Sequence, residues 1–382
     1  MRGLPGVGHT VDGALGNARE LARATVEQAA DHLRLVRLER VDGLLRRNHA
    51  LIERDADGQP ARRGTLLLID PSPEMLARAS ALGFITGEPD RLDELDLSVI
   101  ELTVPRGMDL ATAQRLIARS VPGAMVASDA LHFQSGGVGA TARAQERPSG
   151  AGPIAAAVGL IDGAAAQDYA GTRGFAQGAP FPSNHGSAVA GLAVRAGVRN
   201  LLVADVYGRD PAGGNALAIV RGMNWLIGRG ARVISISLVG PRNPLLERAV
   251  AAARNRKVAV VAAVGNDGPA APPSFPASYP GVIAVTGVDR RNRPLIEAGR
   301  ADHLDYAAPG ADIAAPNAAG EDVSVRGTSY ATPLVAARAA AALDRGIGYD
   351  QLAPALDVEA RPLAKRLPDP RTGRGLLCET CR

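Results

Sequence analysis

The sequence predicts an α/β fold: a mainly parallel sheet covered by helices on both faces, preceded by a small α+β unit and an N-terminal helix. Two patterns carry this reading. From Pro153 onward, short apolar strands alternate with helix-length segments, as expected for a sheet buried on both sides. Between residues 64 and 133 the rhythm is strand, helix, strand, strand, helix, strand, the order of a small ferredoxin-like sandwich. The chain then divides into a helical segment (1–60), a small domain (61–133), a linker (134–152) and a larger domain with a tail (153–382).

Each element has a local reason. Leu15, Leu21, Val26, Leu33, Val36, Val41 and Leu44 recur at roughly helical spacing with arginines between them, which predicts a helix over 14–48. A basic amphipathic helix can lie on a membrane; packing against the next domain is the simpler reading. Asp55 to Pro60 makes a turn. Gly64–Asp70 is an apolar strand, Ser72 caps a helix that opens at Pro73 and stops at Gly83, Ser98–Val104 is a strand, Asp109 caps a helix through Ala118, and Ala124–Phe133 is the last strand. Gln134–Gly152 is glycine-rich with few apolar residues, so it reads as an exposed linker, where cleavage is easiest. Beyond it, strands are expected at Ile154–Ile161, Asn200–Val206, Arg232–Ser237, Lys257–Ala263 and Val282–Thr286, with helices at Gly186–Arg195, Asn215–Arg229, Asn243–Arg254 and Ser329–Leu343.

Composition narrows the function classes. With 46% apolar and 21% charged residues the 382-residue chain is that of an ordinary globular protein. Aromatics are only 3%, so the cores must be built from Ala, Val, Leu and Ile. The net charge of +4 is spread along the chain, a solvated surface rather than a nucleic-acid patch, and no phosphate-cradling glycine loop opens a helix. No apolar run reaches the ~18 residues of a membrane span. No secretory signal follows Met1, so the expectation is an intracellular chain, or one whose signal was removed or lies upstream. Cys378 and Cys381 are too few for a zinc site; they read as a local disulfide or as two thiols on a frayed tail.

The chemistry sits where strands end and helices begin. Asp162 closes the first strand of the larger domain, His185 starts a helix rich in small residues, Asn266 follows the fourth strand and Ser329 opens the last helix. In an open parallel sheet, sites form at the carboxyl ends of strands. Singly, Asp162 and Ser329 read as caps, Asn266 as a turn residue and His185 as a structural histidine. Jointly they supply an orienting acid, a base, an oxyanion donor and a nucleophile. Only His185 and His303 follow residue 150, and His303 lies in a polar stretch that reads as structural. A helix N-terminus at Ser329 also favours developing negative charge.

These residues resemble the catalytic domain of subtilisin-like serine proteases (subtilases, peptidase S8). Residues ~153–345 carry the likeness, most strongly Gly327-Thr328-Ser329-Tyr330-Ala331-Thr332-Pro333. The order Asp162, His185, Ser329 is that family's order. The resemblance implies a three-layer α/β/α sandwich and peptide-bond hydrolysis through an acyl-enzyme. It implies substrate pairing along Ser237, Leu238 and Val239, a pocket wall at Ala263 and Gly265, and Asn266 in the oxyanion hole. Residues 64–133 resemble the inhibitory pro-domains that precede such enzymes. The implied partners are protein or peptide substrates and the chain's own pro-domain. The implied product is a zymogen that cuts itself between Phe133 and Ser149, and export to periplasm or medium. No cofactor is required; calcium is common in the family, but no ligand cluster here identifies a site.

Three departures bear on the expectations. Gly163 stands where the family usually has Ser or Thr, Ala188 where its helix usually has a second His, and Val239 where it usually has Gly. A β-branched Val239 should narrow the cleft with no acidic residue evident in the pocket, which points to a small or apolar residue before the cut. The alternatives are a weak pseudo-protease that binds peptides, and an acyl hydrolase using the same triad.

Overall fold

The computed structural model describes residues 33, 35–135, 137–141 and 152–381. Most of the helix expected over 14–48 lies outside them; its end is helix α1, across 35–47.

The small unit begins earlier than expected. Strand β1 (Ile52–Arg54) already pairs antiparallel with β2 (Pro60–Ile69), so the turn at Asp55 joins two strands of one sheet. Helix α2 (Pro73–Ala81), β3 (Ile85–Leu92), β4 (Leu97–Thr103), α3 (Leu110–Ser120) and β5 (Met125–Ala130) follow. Ser72 and Asp109 cap the two helices through Met75 N–H and Thr112 N–H. The antiparallel sheet runs β5, β2, β4, β3. Strand alternation explains how it is used. Leu66, Leu68, Ile100 and Leu102 bury against α2 and α3. Leu67, Ile69, Val99 and Ala127 bury on the opposite face against helices of the larger domain. At about 1.5–3 kcal/mol per fully buried aliphatic side chain, that second face is a firm seat.

The larger domain is a seven-stranded parallel sheet in three layers. Its strands are β8 (Val158–Asp162), β9 (Gly171–Gly174), β10 (Leu201–Asp205), β11 (Val233–Ile236), β13 (Ala259–Ala263), β14 (Ile283–Val288) and β15 (Tyr306–Pro309), in the order β15, β14, β13, β11, β8, β10, β9. Helices α4 (Asn184–Arg195) and α7 (Thr328–Asp344) cover one face with an alanine-rich core. Helices α5 (Ala216–Gly228) and α6 (Pro244–Asn255) cover the other, and the small unit docks on them. Strand β8 is shorter than expected because Ile154 makes only one isolated bridge, to Val198. Among the described residues no helix is long and apolar enough to cross a membrane.

Two expectations are corrected. Part of the linker is paired strand: β6 (Phe133–Gln134) joins β12 (Leu238–Val239), and β7 (Gly137–Thr141) joins β17 (Asp322–Arg326), itself in a hairpin with β16 (Ala311–Pro316). Backbone hydrogen bonds make these pairings; β16 and β17 also alternate, burying Ile313, Ala315, Val323 and Val325 in the alanine-rich core. The tail is not frayed either. Leu376 bridges Ala307, Leu377 is fully buried, and Cys378 and Cys381 form a disulfide after the short helix α8 (Leu352–Glu359).

Candidate active site

Three side chains from three elements converge at the carboxyl end of the parallel sheet. Asp162 ends β8, His185 lies in the first turn of α4, and Ser329 lies in the first turn of α7. His185 Nδ1 stands 3.0 and 2.9 Å from the two Asp162 carboxylate oxygens, and its Nε2 stands 3.0 Å from Ser329 Oγ. Asp162 and Ser329 are fully buried. A carboxylate on Nδ1 holds that proton and leaves Nε2 free to accept one from the hydroxyl.

The supporting geometry is local. Ser183 caps α4 by accepting Gly186 N–H at 2.9 Å. A Cβ at Gly186 would strike the carbonyl oxygens of Gly163 and Ala164, so only glycine lets α4 approach the end of β8. A Cβ at Gly163 would meet the Ser183 hydroxyl at 2.5 Å, which accounts for glycine there. Ala188 is fully buried in the alanine-rich core, where a histidine would overfill the space.

Ser329 is held by a tight local bond network. Asn266 Oδ1 accepts Thr328 N–H at 3.0 Å, Thr328 Oγ1 accepts Gly265 N–H at 3.1 Å, and Ser237 Oγ donates to the Ser329 carbonyl at 2.9 Å. These bonds lock the loop after β13 to the start of α7. The Asn266 amide is anchored through its oxygen, so its nitrogen is the end left to donate.

The cleft is filled by the chain itself. Leu238 pairs with Gln134 and Val239 with Phe133. Ser237 O accepts Ser135 N–H at 3.4 Å and Ser135 Oγ at 3.3 Å. The Ser135 carbonyl oxygen accepts Ser329 N–H at 3.2 Å and lies against Ser329 Oγ. Gln134 Nε2 donates to Asp162 at 2.8 Å. Just before this stretch, His132 is fully buried, its Nδ1 3.3 Å from Ala130 O and its Nε2 without a partner. Burial pushes its pKa down to about 4. Asp129 accepts Leu217 N–H at 2.9 Å near the start of α5, with Arg62 3.7 Å away; burial nevertheless pushes its carboxyl up to about 7.

The residues expected along the cleft lie as follows. Leu238 and Val239 form its paired edge, and Gly265 lies beneath Val239, whose Cγ1 stands 3.2 Å from where a Cβ would be. Ala263 is buried within β13, and Val264 rather than Ala263 lines the adjoining cavity. His303 donates from Nε2 to Val282 O at 2.9 Å, a structural bond as expected. Sequence reasoning passed over Gln134, Ser135 and Asp267. Asp267 directly follows Asn266 and was open to notice, and it makes the pocket more acidic than expected. Among the described residues no group of three or more His, Cys, Asp or Glu is placed to hold a metal ion.

Comparison with known proteins finds relatives of this chain. The subtilase family profile matches residues 162–354. Thermitase of Thermoactinomyces vulgaris is 34% identical over 176 residues, which cover 46% of this chain and 61% of thermitase. Subtilisin BL of Lederbergia lenta is 36% identical over 158 residues, 41% of this chain and 57% of that protein. The chain thus spans about three-fifths of the length of these curated relatives. Among solved structures, the keratinolytic enzyme fervidolysin from Fervidobacterium pennivorans shares the fold, with TM-score 0.69 and 18% identity over 85% of this chain and 61% of its own. That share of the chain exceeds what residues 153–382 alone can supply. The prenylagaramide maturation protease PagA aligns with TM-score 0.50 and 26% identity over 59% of this chain and 91% of its own.

Proposed function

The chain belongs to the subtilase family, and on that premise we propose that it is a serine endopeptidase made as a precursor that cuts its own Ser135–Gly136 bond. One observation carries the reading: the Ser135 carbonyl sits on Ser329 N–H and Oγ while its flanks are strand-paired on either side. An extended peptide added to a cleft edge is how such a site would hold any substrate.

The residues divide the work as follows. Ser329 Oγ attacks the Ser135 carbonyl carbon while His185 Nε2 takes its proton. Asp162 keeps the imidazole in the right tautomer and stabilises the imidazolium. Ser329 N–H and Asn266 Nδ2 hold the oxyanion. His185 returns the proton to the departing Gly136 amine, and water then releases the acyl group by the same steps. Residues 52–135 act as the inhibitory pro-domain, seated on α5 and α6.

Intact-mass analysis of wild type beside Ser329→Ala tests this. Wild type alone should yield a fragment beginning at Gly136, and wild type alone should be labelled by a fluorophosphonate. A Ser329→Ala protein that processes itself when pure, or a wild type that stays whole and unlabelled, overturns the proposal.

A further inference from the structure

Two carboxylates end neighbouring strands in register at the carboxyl edge of the parallel sheet, Asp162 on β8 and Asp205 on β10. Asp162 faces His185; Asp205 touches none of the reacting groups, yet it is fully buried. Its Oδ2 accepts Phe181 N–H at 2.6 Å, and its Oδ1 accepts Tyr207 N–H and Gly208 N–H at 2.9 Å each. Three donors converge on two oxygens, a set that a carboxylate accepts in full and a side-chain amide cannot. The Asp205 carbonyl also accepts Phe175 N–H at 2.8 Å. One residue thus clasps both ends of the segment 175–181, which leads from β9 to α4.

Resting on the endopeptidase reading, we infer that Asp205 is a positioning residue for the base: it fixes how the chain enters α4 and so how His185 meets Asp162. Beyond the clasp the link to α4 is short and tied. Pro182 has its φ set by its ring and bridges Ala164. Ser183 N–H donates to Ala164 O at 2.9 Å, and the Ser183 hydroxyl caps α4. On the acid's side Val206, next to Asp205, donates its N–H to the Asp162 carbonyl at 2.9 Å. Asp205 therefore holds the supports of base and acid from one point. A displacement of about 1 Å between reacting groups can cost on the order of a hundredfold in rate, so a clasp outside the reacting groups still governs turnover. Asparagine at 205 would turn an N–H group towards one of the three donors and open the clasp.

Two readings test this on the full chain. In uncut Ser329→Ala protein, the downfield proton NMR resonance of His185 Nδ1–H reports the bond to Asp162, and adding Asp205→Asn should move it upfield. In processed protein, with active sites counted by fluorophosphonate, Asp205→Asn should lower kcat on the order of tenfold with KM little changed, on a chromogenic anilide of the chain's own sequence 131–135. Pro182→Gly is an exposed change that leaves every Asp205 bond in place and loosens the link; it should move both readings the same way by less. An unmoved resonance, whatever the melting temperature does, or a loss confined to KM, overturns the assignment. If Asp205→Asn does not melt cooperatively, Pro182→Gly decides by the same two readings. A wild type that hydrolyses nothing overturns the endopeptidase reading, and the resonance, read without turnover, still decides whether Asp205 sets the His185–Asp162 contact.

Discussion

Asn266 shows how much can rest on one anchored amide. Its oxygen is fixed by Thr328 N–H; in the proposed mechanism its nitrogen would then be held in place before any charge develops, with no reorganisation needed in the transition state. Asn266→Ala should lower kcat by about 10²–10³ with KM little changed, as measured by steady-state turnover of a peptide substrate. A loss confined to KM would assign Asn266 to substrate binding instead. Asp162, His185, Asn266 and Ser329 were legible in the sequence because each sits in a run of neighbours whose small size the geometry demands. Asp267 was harder to read, because a carboxylate after Asn266 looks like a solvated turn until Arg37 and Arg40 are seen to reach it. Val239 was expected to narrow the cleft, and it does lie over Gly265.

At the scale of elements, helix α4 carries His185, the proposed base, and its closeness to β8 is set by Gly186. A methyl group there must push the helix away from the Gly163 and Ala164 carbonyls. Overpacking of this kind costs about 1–3 kcal/mol, and it also moves His185 away from Asp162. Gly186→Ala should lower the melting temperature and reduce kcat far more than an exposed loop substitution such as Arg199→Ala; a variant with normal kcat would show that α4 tolerates the displacement. The central strands and helices were legible because burial on both faces writes continuous apolar runs. Strands β6 and β7 were not, since edge pairing needs only backbone groups; β16 and β17 do alternate, burying Ile313, Ala315, Val323 and Val325, but they are short and were passed over. Strand β3 belonged to the expected strand, helix, strand, strand rhythm but could not be bounded: ITGEPDRL has no apolar alternation, and its exposed positions dominate.

For the whole molecule, the decisive relation is how the N-terminal unit seats on the larger domain. His132 and Asp129 make that seat pH-dependent in opposite senses. Docked His132 has its pKa pushed from 6.5 to about 4, so its contribution is whole above about pH 6.5 and is lost as pH falls towards 4. Docked Asp129 has its pKa pushed from 3.8 to about 7, so its contribution is whole below about pH 4 and is lost as pH rises through 7. In uncut Ser329→Ala protein, amide hydrogen exchange at Phe133–Ser135, corrected for intrinsic rates, reads the balance. His132→Phe should leave protection that fades only on the alkaline side, and Asp129→Asn protection that fades only on the acid side. Unchanged profiles in both would mean that neither group titrates within the seat.

The two halves of the occupied cleft are strapped down independently, Phe133–Gln134 on Leu238–Val239 and Gly137–Thr141 on Asp322–Arg326. If the bond between them is cut as proposed, neither end is freed. The new amine stays beside the acyl-serine at high effective concentration, and aminolysis then competes with water to reseal the chain. On that proposal maturation would be a reversible nick, made permanent only when one strap peels away, and the clock of activation would be set by strand release and not by bond cleavage.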